Sequence, residues 1–253
     1  MNLYEVFPAT SETLSLTTPD DRQVFSRSLA PSALPWVRAI MVTDSAGQTV
    51  DAGGSSRELS HGADRTLLGL YREAADIVLV GASTLRAEPV PTPRSSVLGI
   101  VSASGNLDGH KLVVREHANI VVLTTPHGAT RVMDSLSGIP FTPVIVDTAI
   151  PFISEQLVTS MTSATGGQHF LVEGGRGLWE TMADITDEVC ISVTPPPLDN
   201  HGGIPSWWPS DTANWSLTSL LSDDEKMLYF RYQTGIRGAP LTGPEKPTPT
   251  LEA

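Results

Sequence analysis

Two short stretches hold residues whose types and spacing suit chemistry. In "LVEGGRGLW" (171–179) an apolar run ends in an acid, Glu173. Gly174 and Gly175 follow at once, then Arg176, Gly177 and Leu178 lead into a helical pattern. Glycines at a strand-to-helix turn let backbone N–H groups approach an anion such as a diphosphate. A carboxylate at the entrance of such a turn either caps its own helix or accepts from N–H donors of a neighbouring ligand. The second stretch is "VLVGASTLRAEP" (78–89), where Gly81 closes an apolar run and Ser83 and Thr84 are placed to begin a helix. Their hydroxyls and backbone N–H groups suit a phosphate, and equally suit a helix cap with no ligand. Neither turn is a complete G-x-G-x-x-G, and neither holds the G-K-[ST] of a P-loop. Two such turns on one sheet favour a dinucleotide over a single phosphate.

The elements that must position these turns follow from the hydrophobic pattern. "WVRAIMVT" (36–43), "DIVLVG" (76–81), "VLGIVSA" (97–103), "NIVVLTT" (119–125), "TPVIVDT" (142–148), "HFLVEGG" (169–175), "EVCISVTP" (188–195) and "KMLYFRYQ" (226–233) read as strands. "GADRTLLGLYREAA" (62–75), "ISEQLVTSMTS" (153–163) and "GLWETMAD" (177–184) carry apolar residues at helical spacing. Continuous apolar runs ending in glycine suit parallel strands buried on both faces. The expected fold class is therefore α/β, a mostly parallel sheet with helices on both faces and a last strand that returns antiparallel. In such a sheet ligands bind beyond the carboxyl ends of the strands, where both turns lie. Residues 1–34 read as an N-terminal extension with one short helix around "PDDRQVFSRSL", residues 35–235 as the domain, and residues 236–253 as a Pro-rich tail.

Composition narrows the function. The chain has 253 residues, 40% apolar, enough for a sizeable core, and a formal net charge of −12. No basic stripe offsets that charge, so nucleic acid and anionic membrane are not expected partners. No apolar run is long enough to span a bilayer and the start lacks a basic n-region, so a cytoplasmic location is expected. The one cysteine, Cys190, sits in an apolar run and reads as a small buried hydrophobe. The six histidines show no metal-ligand spacing and there is no G-x-S-x-G elbow, so neither a metal nor a serine nucleophile is expected.

In their order along the chain, "PWVRAIMVTDSAG", "ADRTLLGLYREAADIVLVGASTLRAE", "LVEGGRGLWETM" and "TDEVCISVTPPPL" resemble the reductase of bacterial riboflavin biosynthesis. That reductase is the C-terminal half of a bifunctional deaminase–reductase and has a dihydrofolate-reductase-like fold. The zinc deaminase half, with its H-x-E and P-C-x-x-C, is absent, as in the stand-alone type of actinobacteria. The resemblance covers about residues 35–235. It implies NADPH-dependent reduction of a phosphorylated ribosylamino-pyrimidine, with hydride delivered to C1′ of the ring-opened ribose, no metal, and a homodimer. By the same resemblance Val42, Gly81, Ser83, Thr84, Gly174, Gly175, Arg176, Gly177 and Leu178 hold the cofactor, and Ser83, Thr84 and Arg86 are the candidates for its 2′-phosphate. Ser56, Arg72, Arg94 and Glu173 fall on substrate-binding positions, and Glu88 on an acid near the reacting centre able to donate a proton as hydride arrives. A surface role for Arg72 and a solvated loop role for Glu88 stand beside those readings.

The chain also departs from the family. The usual S-L-D-G after the first strand is Asp44-Ser45-Ala46-Gly47, so Ala46 replaces the motif's aspartate. If the strand runs on through Ser45, Asp44 shares a face with position 46 and partly replaces the lost carboxylate in catalysis. The alternative is that Asp44 only caps the following turn. "PPPLDNHGG" replaces the family's P-L-L-G loop, and Trp207 and Trp208 lie in a Gly/Pro loop beyond it. Two other readings remain open: the same fold reducing another heterocycle, such as a dihydropterin or dihydrofolate, and a catalytically inactive homologue that binds NADPH. The apolar strand "MLYFRY", read as a potential exposed edge, is the sequence's own argument for a dimer.

Overall fold

The computed structural model describes residues 2–8, 13–49, 55–147, 152–195 and 214–235. In chain order the elements are β1 (Asn2–Phe7), β2 (Thr13–Ser15), α1 (Pro19–Arg27), β3 (Trp36–Thr43), α2 (Asp64–Ala74), β4 (Ile77–Gly81) and α3 (Ala82–Ala87). They continue with β5 (Val90–Pro91), β6 (Val97–Val101), β7 (Leu112–Val113), β8 (Ile120–Thr124), α4 (Ala129–Ser135), β9 (Thr142–Ile145) and α5 (Ser154–Thr165). The last are β10 (His169–Glu173), α6 (Arg176–Met182), β11 (Glu188–Val193), β12 (Trp215–Asp223) and β13 (Leu228–Thr234).

Eleven strands form one sheet in the order β2-β1-β12-β13-β11-β3-β10-β4-β6-β8-β9. From β11 to β9 every neighbouring pair is parallel. From β11 outward through β13, β12, β1 and β2 every pair is antiparallel. The expected α/β class with a mostly parallel sheet is what the chain adopts. The parallel strands β4, β8 and β10 are buried along their whole length, as runs covered on both faces must be. Their side chains alternate between two cores. Val78 and Val80 of β4 join the core beneath α1, α2 and α4, while Ile77 and Leu79 join the core beneath α5 and α6.

The connections sort in the same way. Those through α2 and α4 carry the chain from β3 toward β9 on one face, and those through α5 and α6 carry it back to β10 and β11 on the other, as a single crossover handedness requires. Strand β10 is thereby inserted between β3 and β4. The chain leaves β4 for one face and β10 for the other, so the strand tips there form a switch-point crevice.

Two expectations need correction. The leading residues are no appendage: β1 and β2 extend the sheet, and Leu3, Leu16, Phe25 and Leu29 are buried in the core. The short helix is α1, held by a capping box between Thr18 and Asp21. The strand containing "MLYFRY" is not an edge, because β13 lies between β11 and β12; among the described strands the edges are β2 and β9. The argument for a dimer drawn from that strand therefore falls. Strand β12 carries little sequence signal, because leucines and serines alternate there without a strong apolar run. No helix among the described residues is long and apolar enough to cross a membrane. The Trp207–Trp208 loop and the tail 236–253 lie outside the described residues.

At the amino ends of the strands a buried ionic cluster ties the two halves of the sheet together. Arg38 of β3 and Glu188 of β11 pair side by side at 1% and 0% side-chain exposure. Arg38 also donates to the Leu29 carbonyl at 2.8 Å and contacts His169 Nε2 at 3.2 Å, while Glu188 accepts from Arg231 at 2.7 Å and Gln233 at 2.9 Å. Burial alone would raise the Glu188 pKa, but Arg38 and Arg231 hold it below its ordinary value. Burial and the charge of Arg38 lower the His169 pKa. Both groups have depressed folded pKa values, so each binds its proton more readily in the unfolded chain, and both contributions are lost as pH falls.

Stability is therefore expected to decline as pH drops below the ordinary histidine value of 6.5 and to decline further below the ordinary glutamate value of 4.5. Thermal melts of wild type and His169→Gln across pH 7.5 to 5 check this: the variant, which keeps an acceptor but cannot titrate, should lose the first slope. Identical slopes in the two proteins would remove His169 from the effect.

Candidate active site

Strand β10 ends at Glu173, in register with Ile40 of β3 on one side and Val80 of β4 on the other. The chain then turns sharply through Gly174 at φ +63° and Gly175 at φ +84°. This left-handed region suits glycine and strains other residues. Space is also tight at Gly175. A Cβ on Gly175 would lie 3.1 Å from Thr84 Oγ1 and 3.3 Å from Ser83 Oγ, and one on Gly174 would lie 3.4 Å from Thr84 Oγ1. The two turns singled out in the sequence thus meet across the crevice. Gly81 completes the contact, its Cβ position lying 3.8 Å from Leu178 Cβ.

Glu173 does not cap α6. That helix has no side-chain cap, and the Gly175 carbonyl accepts from Leu178 N and Trp179 N to start it. The Glu173 carboxylate instead receives Arg72 of α2 in a bidentate pair, Nε to Oε1 at 2.6 Å and Nη2 to Oε2 at 2.5 Å. The side chains are 19% and 10% exposed. Arg72 is thus no simple surface arginine. Burial would lower its pKa, but the hydrogen bonds and charge of Glu173, with the charge of Glu88, raise it above the ordinary value. Helix α2 is itself anchored at its start, where Asp223 accepts from Ala63 N at 3.1 Å, Met227 N at 3.0 Å and the Tyr229 hydroxyl at 2.7 Å.

Glu88, at the C-terminal cap of α3, forms the other wall. It accepts from Ser55 Oγ at 3.1 Å, from Ser56 N at 3.3 Å and from Ser56 Oγ at 3.0 Å. It is therefore not a solvated loop acid. The structure brings Ser56, Arg72, Glu88 and Glu173 into one crevice beside the two glycine turns. Ser55 was missed: its partner is 33 residues away, and no local pattern marks it.

Other candidates stand apart. Arg94 is exposed and makes no hydrogen bond to a described residue. Arg86 is exposed and donates to the Asn106 carbonyl at 2.6 Å. Leu178 is 7% exposed and belongs to the core beneath α5 and α6, so only its backbone faces a ligand; Val42 is half-buried against the opposite core. Arg176 and Gly177 open α6. Asp44 requires a correction. Strand β3 stops at Thr43, so Asp44 and Ala46 do not share the face of a continuing strand. Asp44 Oδ1 accepts from Ala46 N at 2.9 Å and Gln48 N at 2.8 Å, which makes it the cap of a turn that closes at Gly47, φ +81°. Cys190 is buried and its pKa is pushed up to about 12 by desolvation and the nearby Glu188, which suits an inert thiol. Among the described residues no grouping of acids, histidines or cysteine suits a metal.

Comparison with known proteins adds the family context. Residues 35–228 match the model of the RibD C-terminal domain. A pyrimidine reductase-like protein from Corynebacterium diphtheriae has a similar structure, with a TM-score of 0.58, 18% identity, and coverage of 83% of this chain and 98% of that one. The diaminohydroxyphosphoribosylaminopyrimidine deaminase/5-amino-6-(5-phosphoribosylamino)uracil reductase of Thermotoga maritima gives a TM-score of 0.57, 21% identity, and coverage of 79% of this chain and 57% of that one. RibD of Acinetobacter baumannii gives a TM-score of 0.54 at 14% identity, over 81% of this chain and 59% of that one. The chain thus spans little more than half the length of the last two. No curated protein sequence matches the chain.

If Asp44 acts as a turn cap, Asp44→Ala should cost about 1–2 kcal/mol of stability, since it leaves two backbone N–H groups without their acceptor. Asp44→Asn keeps an acceptor at the same place and should cost less than about 0.5 kcal/mol. Urea unfolding of the three proteins at neutral pH measures both, and equal losses in the two variants would mean that the charge, not the acceptor, is what the turn uses.

Proposed function

The chain belongs to the RibD C-terminal domain family, the pyrimidine reductases of riboflavin biosynthesis, and on that premise we propose that it is an NADPH-dependent reductase of a ribosylamino-pyrimidine. The observation that carries this reading is the position of Glu173, held by Arg72, between two converging turns. The turn at Gly174 and Gly175 has backbone free of side chains, and Ser83 and Thr84 face it with hydroxyls. A cofactor diphosphate would lie across the open side of the two turns, within reach of their backbone N–H groups and of the Ser83 and Thr84 hydroxyls. When bound, a reduced nicotinamide supplies a hydride.

The chain's own residues orient the acceptor of that hydride. Glu173 can accept only, and each of its oxygens keeps a lone pair beyond the one that Arg72 uses. Ring N–H groups of a pyrimidine meet that need, and the bidentate pair stops the carboxylate from rotating away from them. The target is C1′ of the ring-opened ribose, present as a C=N bond to the exocyclic nitrogen. Hydride adds to the carbon and a proton to the nitrogen, leaving a ribityl chain on an amine. The proton comes from Glu88, which Ser55 and Ser56 hold in the crevice, or from water. The same hydride transfer to another heterocycle is a second reading, favoured by Ala46 and by the turn that engages Asp44 away from the site.

Single-turnover oxidation of NADPH with a ribosylamino-pyrimidine and with a dihydropterin separates these readings, and no oxidation with either would leave a binding protein. Gly175→Val should weaken NADPH binding more than about tenfold in calorimetric titration, because the side chain meets Ser83 and Thr84 and strains a residue at positive φ. Gly175→Ala, which adds less bulk, should weaken it less. Unchanged affinity in folded Gly175→Val would take this turn out of the cofactor site.

A further inference from the structure

The family match begins at residue 35, yet β1, β2 and α1 precede it and are built into the sheet and its core. Helix α1 does more than fill that core. Two arginines of the sheet take up the carbonyls with which it ends: Arg38 donates to the Leu29 carbonyl at 2.8 Å and Arg231 to the Ser28 carbonyl at 3.2 Å. The same helix sets Phe25 edge-on to Tyr71 of α2, with ring centroids 6.3 Å apart and planes at 79°. Both side chains are buried. The Arg38 guanidinium lies over the Tyr71 ring, 5.3 Å from its centroid. Tyr71 is thus held from two sides, and α1 contacts both of the groups that hold it.

Tyr71 stands on the last turn of α2 and immediately precedes Arg72. Asp223 pins the start of that helix, but a helix pinned at one end can still turn about its axis. At a radius of about 6 Å, a turn of about 10° moves a side chain by about 1 Å. A displacement of about 1 Å is enough to spoil a bidentate pair and the ligand geometry beside it. Leu67 and Leu70 are buried on the same helix, but apolar burial is non-directional. Tyr71, with a ring edge on one side and a cation on the other, fixes the rotation. We propose that Phe25 is a positioning residue of the active site, acting through Tyr71 on the Arg72–Glu173 pair. The segment ahead of the family domain then belongs to the catalytic apparatus of this chain. The inference rests on the reductase reading for its kinetic test, while the geometry of the pair is read without turnover.

Phe25→Leu keeps an apolar side chain and loses the ring edge, and Phe25→Met refills more of the volume. Either serves where the other does not fold. Leu157→Ala, which opens a cavity in the opposite core beneath α5, is the control for general destabilisation. The first readout is the Arg72 Nε–H resonance in 15N spectra, identified by its loss in Arg72→Lys. Its bond to Glu173 protects this proton from exchange with water. Exchange should be at least about fivefold faster in the Phe25 variants and change less than about twofold in Leu157→Ala. The second readout is steady-state kinetics with the ribosylamino-pyrimidine, beside calorimetric titration of NADPH. The Phe25 variants should raise the pyrimidine KM at least about fivefold and leave the NADPH Kd within about twofold, while Leu157→Ala lowers Tm and moves neither. An unchanged Arg72 resonance in a folded Phe25 variant overturns the proposal, as does an equal change in Leu157→Ala or an unchanged KM in an active Phe25 variant. If the resonance responds as expected but no candidate substrate oxidises NADPH, the reductase reading fails and the positioning of Arg72 by Phe25 stands.

Discussion

The close approach of two backbone turns is the constraint on which the site depends. Strand β10 enters between β3 and β4 only after the chain has built the far half of the sheet. Its last residue is an acid, and the next two residues take positive φ values against Ser83 and Thr84. A Cβ at Gly175 would require the Thr84 and Ser83 hydroxyls to give way by a few tenths of an ångström. With the tips together, the carboxyl ends of three parallel strands give one crevice whose floor is backbone and whose walls are Glu173 and Glu88. The strand order and the faces taken by the helices bring the chain to this point, since the helices after β4 and β10 leave for opposite faces.

Two ion pairs, one at the amino ends and one at the carboxyl ends of neighbouring parallel strands, show how burial divides structural charge from chemical charge. Arg38 and Glu188 are sealed at the amino ends and surrounded by further partners, which lets them join the parallel and antiparallel halves. Breaking such a pair would leave a buried charge without its counter-ion. Arg72 and Glu173, at the carboxyl ends, remain open enough for a ligand to reach the carboxylate. Helix α2 serves both. Tyr71 lies under the Arg38 guanidinium, 5.3 Å from its ring centroid, and the next residue is Arg72. Asp223 in turn fixes the start of that helix, so the antiparallel hairpin, far from the crevice in sequence, sets where Arg72 stands.

Much of the parallel half was legible in the sequence. Runs such as "DIVLVG" and "HFLVEGG" are apolar on both faces and end in glycine, a pattern dictated by burial alone. The two glycine turns were legible as turns, but their contact was not, because strand order places Thr84 beside Gly175 and local pattern does not encode strand order. The pairing of Arg72 with Glu173 was hidden for the same reason, at a separation of 101 residues. Strands with one polar face, β1 and β12, carry weaker signals and were passed over. Asp44 shows a local competition decided by the turn: with Gly47 at positive φ, the carboxylate closes onto nearby N–H groups and the strand cannot continue.

The central claim is that the converging turns are the cofactor cradle and that Glu173 marks the substrate side. A crystal structure of the protein with NADP+ tests it most directly. The account predicts the diphosphate against the open side of the Gly81–Thr84 and Gly174–Gly177 turns, touching both, with the nicotinamide beside the Arg72–Glu173 pair. A diphosphate bound elsewhere, or a nicotinamide remote from Glu173, would contradict it.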